Sequence, residues 1–61
     1  ARQTDARTLQ ADALTELAVV LATAGRGAEA RATADEAVAI YAAKGDRVSQ
    51  ARWSAWAGTL S

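Results

Sequence analysis

The sequence predicts an all-α fold, and three observations lead to that prediction. Alanine, the strongest helix former, dominates the 61 residues, and proline, which breaks helices, is absent. Apolar residues recur every three or four positions, the spacing that places side chains on one face of an α-helix. Gly25 and Gly45 interrupt this periodicity where helices need a residue that tolerates a left-handed backbone. We therefore predict an antiparallel helical hairpin followed by a third helix.

The first predicted helix spans about residues 5–24 and carries a broad apolar stripe. Thr4 or Asp5 can cap its start by accepting a backbone N–H. We expect the stripe to be the core face, and its members are Leu9, Ala13, Leu17, Val20, Leu21 and Ala24, widened by Leu14 and Ala18. Replacing Leu17 with alanine is then expected to cost about 2–5 kcal/mol and unfold the protein. Replacing Thr15 should matter little to folding.

The second and third predicted helices follow short turns. The segment Gly25-Arg26-Gly27 fits a tight link between antiparallel helices, so the second helix runs from about 28–44. Gly45 ends it, and Asp46 can cap a third helix over about 47–60. One face of that third helix carries Trp53, Trp56, Ala57 and Leu60.

Charge and hydropathy exclude several classes of partner. Seven basic and seven acidic residues give zero net charge, and the basic residues are spread along the chain. Nucleic-acid binders concentrate positive charge, so we expect no nucleic-acid partner. The longest apolar run, residues 17–22, is too short to span a bilayer, so we expect no membrane partner and a cytoplasmic location.

The alanine and arginine bias favours a bacterial source, and the missing initial Met favours a fragment of a larger protein.

The residues that usually perform chemistry are missing or isolated. The chain has no Cys and no His, which disfavours a transition-metal site and a catalytic nucleophile–base pair. The pairs Asp12–Glu16 and Asp35–Glu36 are typical of solvated helix faces. The Gly25–Gly27 segment lacks the length and the lysine of a phosphate-binding loop. We therefore predict no enzyme activity, no catalytic or metal-ligating residues and no cofactor.

An internal repeat appears when the sequence is shifted by thirty-nine residues. Leu9 then falls on Val48. The first-helix residues Leu14, Leu17, Ala18 and Leu21 fall on Trp53, Trp56, Ala57 and Leu60. The third helix is thus predicted to be a second copy of the first, and periods of this size are typical of helical solenoids.

This unit resembles the tetratricopeptide repeat (TPR), in its long-repeat bacterial type. The first-helix motif of that family is a bulky residue, Leu, a small residue and a large apolar residue, and it matches both sets above. The loop glycine matches Gly25, and the small residues of the second helix match Ala30, Ala34 and Ala37. Two features depart from the family: Gly27 replaces an aromatic, which would leave a gap, and the proline that ends the second helix is missing. The resemblance implies a single TPR-like domain over 1–61, an α-solenoid fragment of about one and a half repeats.

The resemblance also implies where a partner would bind. First helices line the inner face of a TPR solenoid, which here places the partner-binding face at Asp12, Thr15, Glu16, Val19, Thr23 and Ser54. These positions carry none of the Lys, Arg and Asn residues that grip a peptide carboxylate in one subclass, so we expect no such clamp. Trp53 and Trp56 either pack between the second and third helices or form, with Leu60, an assembly surface.

Two functions remain after these exclusions. The first is a non-catalytic protein–protein interaction scaffold, a TPR-like module of a larger bacterial regulatory or signalling protein that binds a protein or peptide. The alternative is a self-associating docking domain in which the tryptophan face closes a homo-oligomer.

Overall fold

The computed structural model describes residues 6–60, all but a few of which lie in helices. Helix α1 is Ala6–Thr23, helix α2 is Gly27–Lys44, and helix α3 is Arg47–Ala57, which continues into a 3₁₀ turn over Gly58–Leu60. The all-α prediction is confirmed, and the three helices lie within a few residues of the predicted bounds. The expected cap at Thr4 or Asp5 lies outside the described residues.

Both turns end a helix in the same way. Gly25 and Gly45 have φ values of 82° and 78°, as predicted. In the first turn the Arg26 N–H donates to the Leu21 carbonyl at 2.8 Å, and in the second the Asp46 N–H donates to the Tyr41 carbonyl at 2.9 Å. Each glycine thus lets the chain reverse within two residues and satisfies carbonyls that would otherwise lack a partner.

Asp46 caps α3, as its position in the sequence predicts. The Ser49 backbone N–H donates to Oδ1 of Asp46 at 3.1 Å. This hydrogen bond from the Ser49 N–H is the main reason that the pKa of the Asp46 carboxyl is lowered. The cap therefore stabilises α3 when Asp46 is ionised, and its contribution is lost as the pH falls through the lowered pKa.

Helix α2 is the centre of the fold, because both other helices pack against it. One cluster joins Ala11 of α1 to Ala37 and Tyr41 of α2, with Leu14, Ile40 and Trp53 packed around it. A second cluster joins Ala18, Ala34 and Ala57, one from each helix, with Trp56 against it. The buried core is thus mostly alanine, and no large side chain among the described residues is fully buried.

The face of α1 that packs against α2 differs in part from the predicted one. Leu14 and Ala18, which widen the predicted stripe, do pack in the core. Leu9, Leu17 and Val20 are 58%, 48% and 62% exposed, whereas Ala11 is completely buried and Thr15 is 6% exposed. The prediction that Leu17 is a core residue is therefore wrong, and so is the view that Thr15 lies outside the core. Alanines allow the two helix axes to approach closely, which the larger stripe would prevent.

Gly27 does not leave the gap that the departure from the repeat pattern suggested. A Cβ atom at this position would lie 2.9 Å from the carbonyl oxygen of Leu60, so the 3₁₀ turn occupies the space. The missing side chain lets the end of the third helical segment lie directly on the first residue of α2. Sequence position alone could not show that two sites thirty-three residues apart meet here.

Replacing Gly27 with alanine is expected to lower the free energy of unfolding by about 1–3 kcal/mol, because the added Cβ meets a backbone oxygen. Gly58→Ala is the matched control. Gly58 is right-handed, with φ −64° and ψ −18°, and nothing lies within 4 Å of its added Cβ, so this variant should gain up to about 1 kcal/mol. Urea denaturation followed by circular dichroism measures both. Equal effects of the two variants would contradict the close approach.

Candidate protein-interaction groove

A mostly apolar groove of about 440 Å³ runs between α1 and α3. We call it the α1–α3 groove, and it is lined by Thr15, Glu16, Val19, Val20 and Trp53. Four of these residues come from successive turns on one side of α1, and the tryptophan comes from α3. The groove exists because α1 and α3 both pack against α2 and leave an open channel between them.

The structure brings together part of the predicted partner-binding face. Thr15, Glu16 and Val19 line the α1–α3 groove, and Val19 is 42% exposed. Thr15 is buried and its hydroxyl donates to the Asp12 carbonyl oxygen at 2.7 Å, so it supports the groove wall. Thr23 is exposed beyond the groove, where its hydroxyl donates to the Val19 carbonyl at 2.9 Å.

Asp12 lies beside the groove, and its carboxylate is hydrogen-bonded to a side chain of α2. It is exposed, and its Oδ1 accepts a hydrogen bond from the hydroxyl of Tyr41 at 3.1 Å. Burial of the phenol raises the pKa of Tyr41, and the hydrogen bond and negative charge of Asp12 raise it further. Asp12 and Glu16 are one helical turn apart, so the rim of the groove carries two carboxylates.

Ser54 is separated from the rest of the predicted face. It is exposed on α3 and lines a different depression of about 430 Å³ together with Arg47, Gln50 and Ala51. That surface belongs to the outer side of α3. The thirty-nine-residue shift aligns Ser54 with Thr15, and this correspondence predicts Ser54 on the inner face. In the structure Thr15 is buried whereas Ser54 is exposed.

The tryptophans are partly buried between the helices. Trp53 packs on the cluster around Tyr41, and Trp56 packs on the cluster around Ala34. The two rings meet edge to face, with centroids 5.4 Å apart and planes at 79°. The Cζ atom of Arg52 lies 5.9 Å from the centroid of the Trp53 ring.

Sequence reasoning missed two groove residues, Val20 and Trp53. The spacing of apolar residues predicts that Val20 belongs to the core stripe, yet it is 62% exposed and lines the groove. The sequence predicts Trp53 either between the second and third helices or on an assembly surface, and in the structure it contributes both to the core and to the groove wall. Leu60, the third residue of that expected surface, is partly buried beside Gly27.

Comparison with known proteins identifies no relative. No protein-family model matches the chain, and no curated protein or solved structure matches it significantly. Within residues 6–60, no group of three acidic residues is placed to hold a metal ion. None of the described helices is long and apolar enough to cross a membrane.

Proposed function

We propose that this chain is a non-catalytic, TPR-like module that binds a segment of another protein in the α1–α3 groove. The observation on which this rests is the groove itself, whose apolar wall is formed by the exposed Val19 and Val20 and by the partly buried Trp53. Apolar concave surfaces rimmed by polar residues are typical of protein-binding sites. The acidic rim at Asp12 and Glu16 favours a segment that carries positive charge beside its apolar residue.

The repeat relationship between α1 and α3 supports the TPR-like part of the proposal. Ala18 and its counterpart Ala57 pack together with Ala34 of the central helix. Leu14 and its counterpart Trp53 pack against the same cluster around Tyr41. The two helices therefore present corresponding residues to α2. Leu17 is the exception, since it is exposed where its counterpart Trp56 is partly buried.

Selection of peptides from a random phage-displayed dodecapeptide library tests this proposal. We expect enriched peptides that pair an apolar residue with Lys or Arg. Val19→Gln should weaken binding of these peptides roughly threefold to tenfold, because part of a valine side chain no longer becomes buried. Val48→Gln is the matched control, since Val48 is 80% exposed and does not line the groove.

Two results would overturn the proposed function. One is a selection that enriches no peptide above an unrelated control protein. The other is an enriched peptide whose affinity falls equally in the Val19 and Val48 variants, because binding would then not depend on the groove. Circular dichroism of both variants confirms that each retains its helical content.

A further inference from the structure

The outer side of α1 is apolar and has no partner among the described residues. Its large side chains are Leu9, Leu17 and Val20, which are 58%, 48% and 62% exposed. The exposed Ala13 lies on the same side of the helix, and the exposed Ala24 directly follows its last residue. We call these five residues the α1 ridge. A helix that is apolar on two sides is normally packed on both, and α2 covers only the opposite side.

The outer side of α3 has the complementary shape and charge. Val48 is 80% exposed, and the small residues Ala51 and Ala55 are exposed on the same side. Arg47 and Arg52 lie on either side of this strip, and α3 contains no acidic residue. We call this surface, from Arg47 to Ala55, the α3 strip. Its small residues leave room for the large side chains of another helix.

The charges beside the α1 ridge are opposite in sign. Asp12 and Glu16 are the only charged residues between positions 8 and 25, and both are exposed. Within residues 6–60, the structure pairs neither carboxylate with a cation; the ion pair that it gives joins Arg26 to Glu29 at 3.1 Å. The ridge side of the molecule is therefore acidic and the strip side is basic.

We propose that the chain associates head to tail with further copies of itself, the α1 ridge of one copy docking on the α3 strip of the next. This inference does not depend on the proposed function, because it uses the outer sides of α1 and α3. The α1 ridge shares Val20 with the wall of the α1–α3 groove, and Glu16 lines that groove, whereas Val19 belongs to the groove and not to the ridge. The ridge and the strip are separate surfaces, so one copy can engage two neighbours at once. Such a contact is heterologous and builds open-ended assemblies, not closed pairs.

Charge also argues against a symmetric pair. Two α1 ridges packed together would bring Asp12 and Glu16 of each copy to the same interface, giving four carboxylates without a cation. Two α3 strips packed together would gather four arginines. Like charges facing each other oppose both arrangements, whereas the head-to-tail contact joins carboxylates to guanidinium groups.

Sedimentation equilibrium with charge-reversed variants tests the arrangement. Over about 1 μM to 1 mM protein at low salt, we expect the average mass to rise without stopping at a dimer. Glu16→Arg and Arg52→Glu should each weaken self-association about tenfold, because each turns an attraction into a repulsion. An equimolar mixture of the two variants should restore it, since each then meets the opposite charge on the other.

Apolar variants provide the second measurement. Leu17→Gln and Val48→Gln should each weaken self-association about tenfold, whereas Val19→Gln, which alters the groove, should leave it unchanged. All three positions are exposed, and circular dichroism checks that the helices persist. A monomer at every concentration would overturn the proposal. A dimer that is insensitive to Arg52→Glu and Val48→Gln would also overturn it, in favour of symmetric pairing through α1.

Discussion

Replacing Ala34 with leucine is expected to lower the free energy of unfolding by about 3 kcal/mol, the upper end of the usual range for an overpacked core. Ala34 is completely buried at the point where α1, α2 and α3 meet, against Ala18 and Ala57. Three additional carbon atoms have no space there, so at least one helix must move away. A chain of this length is expected to have a stability near the low end of 5–15 kcal/mol, so the loss is large in proportion.

The same substitution at Ala32 is the matched control. Ala32 is exposed on the same helix, and a leucine there should change stability by less than about 0.5 kcal/mol. Thermal and urea unfolding, followed by far-UV circular dichroism, compare the two variants. Similar midpoints for the two variants would mean that the three helices do not meet at Ala34.

Replacing Tyr41 with alanine is expected to cost about 3–5 kcal/mol, the range for removal of a buried aromatic ring. Tyr41 is 6% exposed and is the largest side chain of the buried core. It joins α2 to Ala11 and packs against Leu14 and Trp53. Tyr41→Phe keeps the ring and removes only the hydrogen bond to the exposed Asp12, so it should cost about 0.5–1.5 kcal/mol.

The pH dependence of the free energy of unfolding distinguishes the contribution of the Tyr41 hydroxyl from that of its ring. Burial, followed by Asp12, raises the pKa of this phenol above its ordinary value of 10.0, so the folded state holds the proton more tightly than the unfolded state. Its contribution to stability is complete below pH 10.0 and is lost as the pH rises through the raised pKa. Tyr41→Phe should lack this alkaline loss. An identical decline in both proteins would show that the phenol does not cause it.

The positions of the helices could be predicted because local signals determine them. Gly25 and Gly45 are at left-handed turns, and Asp46 caps α3 through its own side chain. Each of these signals acts within a few residues, so one sequence suffices to recognise it.

The buried side of α1 could not be predicted for a different reason. From Leu14 to Ala22 this helix is apolar in almost every direction, so periodicity alone does not select a face. The three- and four-residue spacing fits the stripe through Leu17 as well as the side through Ala11 and Thr15 that is buried in the structure. In the structure, α2 determines which side of α1 is buried. Its alanines Ala30, Ala34 and Ala37 are completely buried and favour small side chains on the facing side of α1.

The groove was predictable only in part for the same reason. Thr15, Glu16 and Val19 follow from the helix position that the repeat pattern assigns to an inner face. Val20 could not be predicted as a groove residue, because its spacing also fits the apolar stripe that was expected to face the core. The contact between Gly27 and Leu60 depends on how α3 crosses α2, and nothing near either residue in the sequence signals it.

The alanine core has a consequence for how the protein responds to heat. Little apolar surface becomes hydrated when such a core opens, and the heat capacity change of unfolding follows that surface. Alanine also has no side-chain rotamers to release, so most of the entropy gained on unfolding comes from the backbone. The stability of this protein should therefore vary gently with temperature, with a broad melting transition and a weak tendency to denature in the cold.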